Sequence, residues 1–364
     1  MTRQTLFLKI TTESPLMLAA APPAQNLVES LDFIPGNTIR GLLANRYLRT
    51  PGKSADDLFQ RLFVSGDTIF GPAQIKGGEA VPLSARTCKY AGGFRNDDGG
   101  HGVTDLLLAD KGDIRSCAKC GKPLDYHKGY FDPTKRNSLD VKMRRITRTA
   151  IDPLRGTAST GLLYSQQVIE EGQEFYAAIE CPEPLKPPLI VLIKDEFTAR
   201  LGTGKSRGQG WVKVSQSPTP IGIDKNTAQR FKQFQERKKE LVLAVTLLSE
   251  ALFIDDYLRD LTAPNIRHLA PLGINPDEWE QEPATSYADT RLVSGFDGYP
   301  IRLPRPVRMA VCAGSAFLFR TKAGRLPTTI PTGSGVGWIG DKCREGFGLT
   351  ALWHPFHLQP DKEA

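Results

Sequence analysis

A chain of 364 residues, 24% of them charged, is long enough for two or three domains that each bury a core, and none of its apolar runs reaches the length of a membrane span. Its first residues, Met-Thr-Arg-Gln-Thr-Leu-Phe-Leu-Lys-Ile10, put Lys9 where an export signal needs unbroken apolar side chains, so a cytoplasmic location is expected. The net charge of +7 favours an acidic partner if the cations cluster, and six cysteines without an export signal read as reduced thiols or metal ligands, not a disulfide framework.

The segment Thr5–Leu18 has the apolar and Thr-rich character of a strand running into an extended stretch, and residues 241 to 254 echo it in length, in the Ser/Glu pair and in the closing apolar triplet. From Ile34-Pro-Gly36 a turn leads into a helical pattern with Ile39, Leu42, Leu43 and Tyr47 on one side; Arg40 is expected near its N-terminus, beside free amides. Residues 86 to 140, rich in Gly, Asp and Lys, read as an insertion. Leu163–Ile169 and Gln173–Ile179 look like paired strands around Glu170-Glu-Gly172. A linking helix is expected over Lys225–Glu240, with Phe231 and Phe234 on its apolar edge and Asp224 available as N-cap. The stretch from Ala263 to Pro306, with seven prolines, reads as surface structure shaped by contacts.

Two glycine-rich loops close the two halves. Gly202-Thr-Gly-Lys-Ser-Arg-Gly-Gln-Gly210 precedes Trp-Val-Lys-Val, and a looser copy runs from Gly333 to Gly340 and on through Arg344-Glu-Gly-Phe-Gly348 to Leu-Thr-Ala-Leu-Trp. Gly204-Lys-Ser206 imitates the end of a phosphate-binding P-loop, with Pro188–Ile193 as its possible strand. The match fails because Ala199 stands where the first glycine belongs and a strand, not a helix, follows. Loops of this kind with interleaved cations point to a polyanion bound along a surface. The simplest organisation is two related α+β domains, 1–222 with the insertion and 223–364, whose order of strand, helix, strands and final strand is that of a ferredoxin-like or RRM-like fold.

Cys117-Ala-Lys-Cys120-Gly121 is half of a zinc knuckle, since two thiolates three positions apart can hold one ion and the glycine permits the turn. Cys88 supplies a third ligand, and His101 or His127 a fourth, for a structural zinc that holds the insertion. The run Lys142-Met-Arg-Arg-Ile-Thr-Arg148 packs Lys142, Arg144, Arg145 and Arg148 into seven residues just before the expected strand pair, where each cation could neutralise a phosphate. Catalytic groups are scarce: His268 is the one free-standing histidine for general-base chemistry, and Asp32 could face a bound backbone or cap the following turn.

In order along the chain, Ile34-Pro-Gly-Asn-Thr-Ile-Arg-Gly41, Ile151-Asp with the turn to Leu163-Tyr, and the Gly202–Gly210 loop resemble the RAMP superfamily of CRISPR-associated proteins. Glu345-Gly-Phe-Gly348 with Trp353-His-Pro-Phe356, and the Cys88, His101, Cys117, Cys120 set, look most like the single-copy RAMP subunit of type III-D effector complexes. The resemblance implies two ferredoxin-like domains and a non-catalytic antiviral role in which the subunit caps the repeat-derived 5′ handle of CRISPR RNA. It also implies docking to the large polymerase-like subunit and the backbone RAMP subunits, with target RNA met only indirectly. Carried onto this sequence, Arg40 and the loop with Gly202, Gly204, Lys205, Arg207, Gly208 and Gly210 would face RNA. The second loop departs from the pattern, being split by Trp338 to Cys343. The alternative is a RAMP endoribonuclease, cutting target RNA with Asp32 or trimming precursor CRISPR RNA with a histidine site at His268.

Overall fold

Along Arg3–Thr12 the residues Leu6, Leu8 and Ile10 are buried and their neighbours are not, the period-2 pattern of a strand with one face on a core. The computed structural model describes residues 3–20, 27–109, 116–151, 154–218, 226–297, 303–322, 327–328, 330–331 and 333–359. It is α+β and strand-rich, with few helices. Its contacts divide it into two units, one of residues 1–76, 141–221 and 293–307, the other of 77–140, 222–292 and 308–364.

In the first unit Arg3–Thr12 lies between Trp211–Ser217 and Glu174–Pro182, antiparallel to both. Glu174–Pro182 continues to the short strand Ile69–Phe70, and Phe197–Arg200 adds an edge beside Trp211–Ser217. Counted along the chain without that edge strand, the order is fourth, first, third, second, which is consistent with a ferredoxin-like sheet. The helices Gly36–Arg49 and Lys186–Ile193 occupy the two crossovers. Ile39, Leu42, Leu43 and Tyr47 are buried as their spacing predicts, and the Tyr47 hydroxyl donates to Asp56, the N-cap of the helix Asp57–Phe63. Pro188–Ile193 belongs to a helix with Pro in its first turn, so the strand a P-loop needs is absent from that position.

The expected pairing of Leu163–Ile169 with Gln173–Ile179 does not form. Ala158–Ile169 instead pairs with Met143–Ile151 in a long hairpin, and Glu174–Pro182 joins the central sheet. The basic run is therefore itself a strand, not the lead into one. Gly172, with φ of +83°, donates its N–H to Thr12 O, turning the chain from one sheet to the next.

The second unit repeats the sheet. Val242–Leu247 lies between Leu349–Leu352 and Ala316–Arg320, with Thr285–Tyr287 beyond the latter and Val336–Trp338 as the extra edge, again in the order fourth, first, third, second. The helix Thr227–Lys238 precedes it, buries Phe231 and Phe234, and is capped by Asn226; the expected cap, Asp224, lies outside the described residues.

The two glycine loops sit at the same place in their sheets, and their backbone hydrogen bonds correspond. Leu201 N–H donates to Gly210 O at 2.8 Å and Ile339 N–H to Gly348 O at 2.9 Å. Gly210 N–H donates to Pro15 O, as Gly348 N–H does to Glu250 O. Trp211 N–H donates to Ser14 Oγ, as Leu349 N–H does to Ser249 Oγ. The true counterpart of Gly202–Gly210 is thus Gly340–Gly348, whereas Gly333–Gly335 leads into the edge strand. Likewise Ser14 matches Ser249, one residue away from the match read in sequence.

Residues 77–140, which include the stretch 86–140 expected as an insertion of the N-terminal domain, group with the second unit. Their own core is small, and Leu107 and Leu108 are buried with Phe234, Val245 and Trp353, while Phe94 and Phe131 pack on Phe356. Asp105, buried, takes hydrogen bonds from Ser84 and His357; facing His357 holds its carboxyl below the usual range although burial alone would raise it.

A Cβ on Gly210 would overlap the carbonyl oxygen of Leu201, and one on Gly348 that of Ile339, at φ of +81° and +85°. Gly208 has φ of +79° but open space around it. We expect Gly210→Ala and Gly348→Ala each to destabilise by more than about 2 kcal/mol, against about 1 kcal/mol for Gly208→Ala. Thermal denaturation of the three variants checks the order.

Candidate nucleic-acid interface and metal centre

The glycine loop of the first unit is built around a single 3-10 turn, Lys205–Arg207, bracketed by Gly204 and Gly208 in left-handed conformation. Lys205, Ser206 and Arg207 are exposed at its tip. The Arg207 guanidinium donates to the Tyr164 hydroxyl at 2.8 Å, and Tyr164 stands opposite Arg148 in the long hairpin. Two basic elements far apart in sequence therefore meet. Arg200 donates to Lys205 O at 2.9 Å and lies 4.0 Å over the ring of Trp211, which is 37% exposed. The loop thus presents cations beside an aromatic surface.

Strand alternation splits the basic run of the hairpin. Arg144 and Arg148 share one face and Arg145 takes the other. Arg144 is ion-paired with Glu171 at 3.1 Å, and the backbone of Lys142 is clamped by the Gln173 amide. Arg148 carries a buried Nε without a hydrogen-bond partner among the described residues. The expected patch of Lys142, Arg144, Arg145 and Arg148 is therefore not one surface.

Other candidates are dispersed. Arg40 is the fifth residue of the helix Gly36–Arg49, half-buried and past the free amides of the first turn. Asp32 is exposed in the bend before that helix. His268 uses both ring nitrogens inside the fold: Nδ1 accepts from Asn265 N–H in a capping box, and Nε2 lies 3.1 Å from Ile254 O. The second loop, Asp341-Lys-Cys-Arg-Glu345, balances two cations with two carboxylates, whereas its counterpart Thr203–Arg207 carries two cations and no acid. Tyr164, Arg200 and Trp211 were not marked as functional by sequence. Arg200 and Trp211 flank the loop and could have been found there; Tyr164 is identified only by the contact with Arg207.

Cys88, His101, Cys117 and Cys120 bring one ligand atom each to within 4.8 Å of one another. Cys88 Sγ lies 3.5 Å from Cys120 Sγ, and Cys117 Sγ 3.5 Å from His101 Nδ1. A tetrahedral ion with bonds of about 2.0–2.3 Å spaces its ligand atoms by about 3.5–3.8 Å, so the four residues could hold a metal. The amides of Tyr90 and Ala91 hydrogen-bond Cys88 and hold its thiol below the usual range, which favours the thiolate a metal needs. His127 is not part of this group, packing edge-on to Phe94 with Nε2 near Ser138.

We expect Cys88→Ser, Cys117→Ser or His101→Ala to weaken metal binding by roughly a hundredfold or more and to lower the melting temperature, and His127→Ala to retain one ion per chain. Elemental analysis of dialysed protein, with melting curves in parallel, checks both.

Among solved structures, the chain is similar to a chain of the type III-B Cmr-beta complex bound to cognate target RNA and AMPPnP, at 15% identity, 86% coverage of each chain and a TM-score of 0.45. It is similar to Pyrococcus furiosus Cmr4 (Cas7) at 11% identity, over 59% of this chain and 100% of that one, with a TM-score of 0.28. It is similar to Thermus thermophilus Cas6 at 10% identity, over 96% and 98%, with a TM-score of 0.34. No curated protein matches the sequence. The family profile described as the RAMP superfamily matches residues 9–213, more than half of the chain, and the protein therefore belongs to the RAMP superfamily.

Proposed function

We propose that this RAMP protein is a non-catalytic guide-RNA-binding subunit of a type III CRISPR effector complex, working in the cytoplasm in antiviral defence. In this reading it is like the type III-D subunit that caps the repeat-derived 5′ handle. The observation that carries the proposal is the junction of Arg207 with Tyr164 opposite Arg148, which joins the glycine loop to the hairpin in one basic surface. Single-stranded RNA is gripped through phosphates and stacked bases, and Lys205, Arg207 and Arg148 beside Trp211 and Tyr164 offer both kinds of contact.

Each unit is read as a ferredoxin-like domain, with the zinc ion at Cys88, His101, Cys117 and Cys120 structural. Four protein ligands fill a tetrahedral zinc and leave no position for substrate. The partners follow from the same reading: CRISPR RNA directly, the large polymerase-like subunit and backbone RAMP subunits by docking, and target RNA through the guide.

Repeat-derived RNA titrated at several salt concentrations tests the interface. Lys205→Ala with Arg207→Ala should weaken binding about tenfold or more and flatten the slope of log affinity against log salt by about 1.4, the loss of two single-strand phosphate contacts. Ser206→Ala should bind as the unaltered protein does. RNA incubated with the protein should stay intact; cleavage that disappears in Asp32→Ala or His268→Ala would establish the endoribonuclease instead.

A further inference from the structure

The Cys-bearing segment carries a surface that the glycine loop does not explain. Its small sheet sets Ala85–Cys88 between Val103–Asp105 and Leu124–Tyr126, with Cys88 opposite Leu124 and Arg86 opposite Tyr126. The second residue after each of two cysteines is exposed and tied to it: Tyr90 N–H bonds Cys88, and Lys122 N–H bonds Cys120. Tyr90 is 74% exposed. Tyr126, 61% exposed, has the Arg86 guanidinium 3.9 Å over its ring. Lys89 and Lys119 are exposed in the same turns. Residues 85–91 and 116–126 together contain four cations and one carboxylate, Asp125, which accepts from the Tyr126 N–H at 2.8 Å.

We propose that this knuckle is a second site for single-stranded RNA, with Tyr90 and Tyr126 as stacking platforms and Lys89, Lys119 and Lys122 on the phosphates. An exposed tyrosine is an amphipathic plate of low conformational cost, and an aromatic plate ringed by lysines is how unpaired nucleotides are held without sequence reading. An apolar protein partner would not call for the excess of cations. An acidic one would leave the two rings without a role. A metal at the four ligands fixes both turns, because the amides that present Tyr90 and Lys122 are bonded to the ligand sulfurs. The site rests on the reading of the chain as an RNA-binding protein but uses none of the glycine-loop residues.

The test uses the full-length metal-loaded protein and a fluorescein-labelled oligouridylate, followed by anisotropy, together with crosslinking of a 4-thiouridine version and peptide mapping. Crosslinks to peptides spanning 86–91 or 117–128 are expected, and they should persist in Lys205→Ala with Arg207→Ala. Tyr90→Ala with Tyr126→Ala should lose them and weaken binding about tenfold or more with metal content and melting unchanged, while Tyr90→Phe with Tyr126→Phe keeps them. Chelation should remove these crosslinks and spare any in the glycine loop. Crosslinks confined to the glycine loop, with full affinity in the double Ala variant, would overturn this proposal and leave the guide-RNA reading intact. Absence of any RNA binding would overturn both.

Discussion

Both sheets are closed at one edge by the same constraint, a glycine packed against a carbonyl so closely that no Cβ fits. Gly210 meets Leu201 and Gly348 meets Ile339, and in each case the same residue pair exchanges a backbone hydrogen bond while the glycine N–H reaches back to the end of the first strand. This ties three segments, the edge strand, the final strand and the exit of the first, at one point. The loop left outside that closure is short and held by its own 3-10 turn, which fixes where its tip side chains stand. Charge on the loop can then vary without altering its backbone.

That variation is what separates the two loops. In the first unit the tip carries Lys205 and Arg207 and no acid, and Arg207 is oriented by Tyr164. In the second unit the same positions hold Cys343 and a buried Glu345, and Asp341 sits where Thr203 does. Arg308, bonded to Asp260, also reaches Asp341. The first loop is suited to a polyanion, and the second is knitted into its own unit by paired charges. The two units thus repeat one loop backbone with divergent charge.

The Cys-bearing segment shows how a stretch with little core of its own is stabilised. Cys88, His101, Cys117 and Cys120 lie together, Leu107 and Leu108 join a core built mainly by residues of the C-terminal half, and Phe94 and Phe131 form a small core of the segment's own that Phe356 completes. The buried Asp105–His357 pair adds a contact that is costly to break from one side only, since the remaining group would be left charged or unpaired in the interior. The turns at the Cys/His cluster carry Lys89, Tyr90, Lys119 and Lys122, all exposed.

Local pattern determined much of this by itself. The helix at 36–49, the strands at 3–12 and 211–217, the helix around Phe231 and Phe234, the rejection of a P-loop and the Cys-x-x-Cys half-site all follow from periodicity, turn chemistry and spacing, which act over a few residues. The family profile matches residues 9–213, and the glycine loop at 202–210 lies within that span. What lay beyond the sequence was pairing at a distance. Only tertiary structure decided that Ala158–Ile169 pairs backwards with the basic run, that alternation divides Arg144 and Arg148 from Arg145, and that His101 and not His127 joins the cysteines. It also decided that 77–140 groups with the C-terminal half and that Tyr164 bridges loop and hairpin. Strand partners and ligand sets are chosen by which surfaces bury together, a property of the whole chain that no window of sequence contains.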